Sequence, residues 1–193
     1  TAYEIGVRLV GSEMCIRDRL DINKKKMLSL KESLKILTET KALLEGHFIL
    51  SSGLHSPKYV QCAQLMSKPD QATKICLSLG EKIKKEFPDF NLILSPAMGG
   101  IIIGYEIGRI LKKETIFSER VNGKFQLRRD FKINKDSKVL IIEDVITTGK
   151  SSLECSKLVS SINAKIVGYA CIIDRSNGKS LIKDKIVSQI ELN

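Results

Sequence analysis

The densest chemistry in the chain lies in the run EDVITTGKSS, residues 143–152. Two carboxylates, Glu143 and Asp144, close the apolar run Val139-Leu140-Ile141-Ile142, and Thr147, Thr148, Gly149, Lys150 and Ser151 lead into a helix predicted near residues 151–161. Backbone N–H groups at a helix start, flanked by hydroxyls, form a cradle for an anion. Gly149 lets the chain come close to a phosphate. The GKS tripeptide raises the question of a Walker A loop, but that motif needs a glycine five residues before Gly149, where Asp144 stands. A paired acid before a phosphate cradle suits a ribose phosphate instead: the carboxylates accept from ribose hydroxyls while the loop grips the 5′-phosphate.

The elements around this run alternate. Leu30, Leu34 and Leu37 follow helical spacing, and that helix is expected to stop near Gly46. Short strands are expected at residues 48–50 and 59–62, on either side of the turn-rich SSGLHSP. Ser67 and Pro69 open a helix whose apolar face holds Ala72, Ile75, Leu79 and Ile83. Strands then recur at residues 92–94, 115–118, 139–142 and 166–173, with a helix through Arg109 after SPAMGG and the polar stretch RVNGKFQLRRD between two strands. The order predicts an α/β fold, a mostly parallel sheet with helices on both faces. In such sheets ligands sit at the carboxyl ends of the strands. SPAMGG, EDVITTGKSS and Asp174-Arg175-Ser176 all fall there.

Composition narrows the class. A chain of 193 residues, 42% hydrophobic and 28% charged, fits one compact domain. No apolar stretch approaches the ~20 residues that span a bilayer, and no membrane partner is expected. Five cysteines (Cys15, Cys62, Cys76, Cys155, Cys171) form no C-x-x-C pair, and His47 and His55 are the only histidines, so a structural zinc site is not expected. Isolated cysteines in apolar segments read as buried thiols of a reducing, cytoplasmic compartment. The net charge of +10 suits either a nucleic acid or a small polyanion, and does not choose between them.

Residues 1–19 show neither helical nor strand period and carry balanced charge. They are expected to be a non-native or unstructured leader ahead of a start near Met27, with one domain over residues 20–193.

The motifs together resemble the type I phosphoribosyltransferases, and among them the orotate phosphoribosyltransferases. The apolar strand, acid pair and Thr-Thr-Gly resemble the signature for phosphoribosyl pyrophosphate (PRPP). GHFILSSGLHSPKYVQ resembles the family's N-terminal hood, SPAMGG its pyrophosphate-side loop, ERVNGKFQLRR its mobile catalytic loop, and Arg175 its base-binding arginine. The resemblance runs in family order from about Leu37 to Ser176. It implies the type I phosphoribosyltransferase fold, with a hood over about residues 28–66 and a core over about 67–193. It implies Mg²⁺-dependent transfer of the phosphoribosyl group from PRPP to orotate, with the metal held mainly by PRPP and water rather than by protein ligands. PRPP falls to Arg120, Lys124, Glu143, Asp144, Val145, Ile146, Thr147, Thr148, Gly149, Lys150 and Ser151, and orotate to Thr147 and Arg175, whose planar fork can pair with a carboxylate. Arg120 and Lys124, with Asp144, are the expected catalytic residues, and Arg128 and Arg129 are further candidates to neutralise pyrophosphate. The resemblance also implies a homodimer in which the loop over residues 119–130 acts across subunits. His55 reads as a turn residue near the base pocket, as does Tyr59. Ser51 stands where many members have Lys, Met98-Gly99 where they have Tyr-Lys, and RVNGKFQLRR lacks the histidine their loop often carries. Two alternatives stay open: a phosphoribosyltransferase for another base, and an RNA-binding regulator on the same fold. No nucleic-acid partner is expected on the first reading.

Overall fold

The computed structural model describes residues 27–49, 53 and 55–192. The expected leader, residues 1–19, lies outside them, as do Leu50, Ser51, Ser52 and Leu54.

Eight strands and five helices follow one another among the described residues: α1 (Leu30–Glu39), β1 (Leu43–Ile49), β2 (His55–Val60), α2 (Cys62–Met66), α3 (Pro69–Glu86), β3 (Leu92–Pro96), α4 (Gly99–Leu111), β4 (Glu114–Val121), β5 (Lys124–Leu127), β6 (Lys138–Ile146), α5 (Lys150–Ser160), β7 (Lys165–Asp174) and β8 (Ile186–Glu191). Six strands form one sheet in the order β5-β4-β3-β6-β7-β8, parallel throughout except for the β4–β5 pair. β1 and β2 form a separate antiparallel ribbon.

The central strand explains why the sheet is covered twice. Along β6, Leu140 and Ile142 pack into a core shared with α3 and α4, while Val139 and Ile141 pack into a second core shared with α5. Period-two alternation within an unbroken apolar run is what a strand buried on both faces requires. Each such side chain removed from water is worth ~1.5–3 kcal/mol. The first core also takes Ile36 and Leu37 from α1 and Cys62 and Leu65 from α2. On the outer edge, Lys82 donates through Nζ to the backbone carbonyls of Ser188 and Gln189, which blunts β8 as a pairing edge. The four described cysteines are free and buried. No helix among the described residues is long and apolar enough to cross a membrane.

Four local expectations change. The first helix stops at Glu39, where Thr40 turns its hydroxyl back to the Ile36 carbonyl, and its start is fixed by a Ser29–Glu32 capping box. Gly46 lies inside β1, at a bulge between Glu45 and Phe48, rather than ending a helix. Cys62 begins α2 instead of ending a strand. RVNGKFQLRRD is largely a hairpin: β4 runs on to Val121, and Asn122-Gly123, at φ of 49° and 78°, turn the chain into β5. Asn-Gly favours the two positive φ values of a tight hairpin turn. β8 was not anticipated.

Candidate active site

The three motif-bearing strand ends meet. β6 and β7 run in parallel with Ile146 opposite Asp174, so Thr147 and Arg175 leave the sheet side by side, and the Arg175 N–H donates to the Ile146 carbonyl at 2.8 Å. The Ser176 N–H donates to Asp174 Oδ1 at 2.7 Å, turning the chain, and the Leu181 N–H then reaches the Thr148 carbonyl at 2.9 Å. The segment after Arg175 thus buttresses the Thr-Thr-Gly loop. Gly149 caps α5 at φ 75°, and a Cβ there would sit 2.7 Å from Ser180 Oγ and 2.8 Å from Ile182. Backbone and packing both demand glycine at this position.

Glu143, Val145, Thr147, Thr148, Gly149, Lys150 and Ser151 line a small polar cavity of about 60 Å³ at the α5 N-terminus. Its polar lining at a helix start suits an anionic group, and its size suits one such group rather than a whole drug-sized ligand, whose pockets run from ~300 Å³ upward. Larger clefts of about 380 Å³ beside Asn91 and Asp130, and of about 410 Å³ beside Gly123 and Glu154, lie apart from this loop. We assign the site to the smaller cavity, because Glu143, the Thr147, Thr148 and Ser151 hydroxyls and the α5 start meet there at the carboxyl end of β6, beside Arg175.

Both acids are costly to ionise. Burial lifts Glu143 to about 7; the Ser152 hydroxyl, donating to Glu143 Oε2, works against that rise, and the neighbouring Asp144 adds to it. Ser152 is itself fully buried. Asp144 is also raised by burial, against the Val145 N–H that donates to its Oδ1 at 2.9 Å. A Cβ on Gly99 would lie 2.6 Å from Asp144 Oδ2, so only glycine lets the start of α4 close on this carboxyl. Ligands that bring positive charge or hydroxyl donors to the pair would therefore bind with release of protons.

Arg175 is half-buried and donates through Nη2 to Ser56 Oγ on β2 at 3.2 Å. His55, on the next residue, is exposed and shares a 2.6 Å contact with His47 across the ribbon. Tyr59 stacks near Phe48, with ring centroids 5.6 Å apart.

The expected pyrophosphate residues sit elsewhere within the chain. Arg120 lies over the Phe125 ring at 4.2 Å, donates to the Gly123 carbonyl at 2.7 Å and pairs with Glu154 of α5 at 2.7 Å. Lys124 is exposed and lines the cleft beside Glu154 and Lys157. Arg128 and Arg129 both pair with Glu119. None of the four lines the anion cradle of its own chain.

A family model described as the phosphoribosyl transferase domain matches residues 71–193. Orotate phosphoribosyltransferase of Carboxydothermus hydrogenoformans is 48% identical over 145 residues, which are 75% of this chain and 76% of that protein. The chain belongs to the orotate phosphoribosyltransferase family. Among solved structures, the orotate phosphoribosyltransferase from Aeropyrum pernix matches with a TM-score of 0.71 at 22% identity, over 82% of this chain and 92% of that one. The adenine phosphoribosyltransferase from Saccharomyces cerevisiae matches with a TM-score of 0.67 at 18% identity, over 81% and 99%. At those identities the likeness speaks for the fold alone. A fold that serves both bases leaves the choice of base to side chains at the strand ends.

In this orotate phosphoribosyltransferase family member, Ser152, Ser56 and Glu154 support the site without having been marked by sequence as site residues, and Gly99 was marked only as part of SPAMGG. One signal was available for Ser152: a carboxylate buried at a strand end needs a donor, and the following helix start is the nearest source. The contacts of Ser56 and Glu154 cross long stretches of chain and left no local pattern.

Proposed function

We propose that the protein transfers the phosphoribosyl group of PRPP to orotate, giving orotidine 5′-monophosphate and pyrophosphate in pyrimidine (UMP) synthesis. The observation that carries this reading is Arg175 beside the Thr-Thr-Gly loop. An acid pair and an anion cradle account for PRPP, and a planar cation at the adjoining strand end accounts for a base that bears a carboxylate.

In this reading the 5′-phosphate sits against the N–H groups and hydroxyls of residues 147–151, and Glu143 and Asp144 accept from the ribose hydroxyls. A ring nitrogen of orotate forms the new bond to the anomeric carbon as the bond to pyrophosphate breaks, and that nitrogen gives up its proton. The departing group leaves through an oxocarbenium-like state, as in glycoside hydrolysis. No protein nucleophile is needed, so the chain acts by orientation, by charge stabilisation and by excluding water. Thr147 and Arg175 orient orotate. Mg²⁺ would be held mainly by PRPP oxygens and several waters rather than by protein ligands. When bound, that ion would neutralise charge on the pyrophosphate and ribose oxygens.

Arg120 and Lys124, which do not reach the cradle of their own chain, fit a homodimer in which residues 119–130 serve the neighbouring site. A hairpin carrying them would add positive charge and exclude water as it closes.

The test is turnover with PRPP and Mg²⁺ on orotate, uracil and adenine in parallel. We expect kcat/KM for orotate to exceed the others by about two orders of magnitude, because a site built around a half-buried, hydrogen-bonded guanidinium rejects a base that leaves it unpaired. Comparable values for adenine or uracil would refute the assignment of the base.

A further inference from the structure

Arg175 does not project freely into the crevice: a hydroxyl from a distant part of the chain holds one of its nitrogens. Ser56 lies 119 residues away, on the separate β1–β2 ribbon, and is 8% exposed. Its hydroxyl donates to the Lys58 carbonyl at 2.7 Å and accepts from the Lys58 N–H at 3.2 Å. With its proton committed to Lys58, the oxygen can meet Arg175 only as an acceptor, which it does at 3.2 Å from Nη2.

The arrangement restricts a side chain that otherwise has many rotamers. The backbone of Arg175 is pinned by the bond from its N–H to the Ile146 carbonyl, and the tip of the guanidinium by Ser56, so the long side chain is fixed at both ends. A guanidinium has five N–H donors, and the bond to Ser56 uses one of them. An edge remains for a two-pronged pair with a carboxylate. The ribbon carrying Ser56 is itself anchored, since Leu43 at its start and Cys62 just past its end are buried in the core of the main sheet.

We propose that Ser56 is a positioning residue for base specificity, aiming the Arg175 guanidinium at the carboxylate of the incoming base. The inference rests on the reading that Arg175 pairs with that carboxylate. It gives the ribbon a defined part in choosing the substrate: a shift of β2 would misdirect Arg175 while leaving the phosphate cradle intact.

The test uses the full chain and four variants: Ser56→Ala, Ser56→Thr, Arg175→Ala and the double variant Ser56→Ala/Arg175→Ala. Removing one hydrogen bond should raise KM for orotate about 3–10-fold in Ser56→Ala, with KM for PRPP changed less than about twofold. Ser56→Thr, which keeps the hydroxyl, should recover most of the loss. The double variant should be no worse for orotate than Arg175→Ala alone, because Ser56 acts only through Arg175. If Ser56→Ala weakens both substrates equally, or if the two single losses add in the double variant, Ser56 is a general scaffold residue and the proposal is overturned. If Arg175→Ala cripples orotate use while Ser56→Ala does not, the proposal fails and the role of Arg175 stands. If Arg175→Ala leaves KM for orotate unchanged, the assignment of Arg175 falls and takes the proposal with it.

Discussion

Glu143→Gln should make the protein more stable and a poorer enzyme at the same time. Burial lifts the Glu143 carboxyl from its ordinary 4.5 to about 7. Between those values the folded chain keeps a proton that the unfolded chain has released, so stability falls as pH rises through this window. At ~1.36 kcal/mol per pH unit, the full penalty is about 3 kcal/mol above pH 7 and nil well below pH 4.5. Gln never ionises, and its carbonyl oxygen can still accept from the Ser152 hydroxyl that now donates to Glu143. The difference in unfolding free energy between variant and wild type should therefore grow from near zero at pH 4 to about 3 kcal/mol at pH 8. Urea unfolding at pH 4, 6 and 8 measures it, with PRPP titrated into both proteins at pH 8. PRPP affinity should drop in the variant, because a ribose hydroxyl loses a charged acceptor. A stability difference independent of pH, or a variant less stable than wild type at pH 8, would refute the reasoning.

Asp144→Asn and Thr148→Val should each weaken PRPP binding by ~1.5–3 kcal/mol, read by calorimetry, without unfolding the chain. Gly99→Ala should strain the site at its tightest contact, since its Cβ would lie 2.6 Å from Asp144 Oδ2. We expect a cost of ~1–3 kcal/mol, seen in PRPP affinity as Asp144 is displaced; unaltered affinity would mean that α4 yields instead. Lys124→Ala should lower turnover strongly without unfolding the chain, and mixing it with Asp144→Asn should partly restore activity after subunit exchange. No recovery would mean that residues 119–130 serve their own subunit.

The parallel sheet was legible because each of its buried strands leaves a short apolar run bounded by turn residues, and residues 139–142 are the plainest case. The polar cavity at the start of α5 was legible because Thr147 to Ser151 are contiguous and their conformation is local. The hairpin at Asn122-Gly123 carried its own signal, which the high polarity of the surrounding residues obscured. β1 was harder to read: a bulge breaks its alternation, and the helical spacing before it runs on in the apolar residues Ala42 and Leu43. The support of the site was illegible for a different reason. The bonds from Ser152 to Glu143 and from Arg175 to Ser56, and the packing of Gly99 on Asp144, join residues on different elements that meet only in the folded chain.

The most direct test follows the absorbance of orotate with purified protein, PRPP and Mg²⁺, beside a control without Mg²⁺. The account predicts a loss of orotate absorbance that requires both PRPP and the metal and is matched by an equal release of pyrophosphate. Unchanged absorbance with a folded protein that binds PRPP would contradict it.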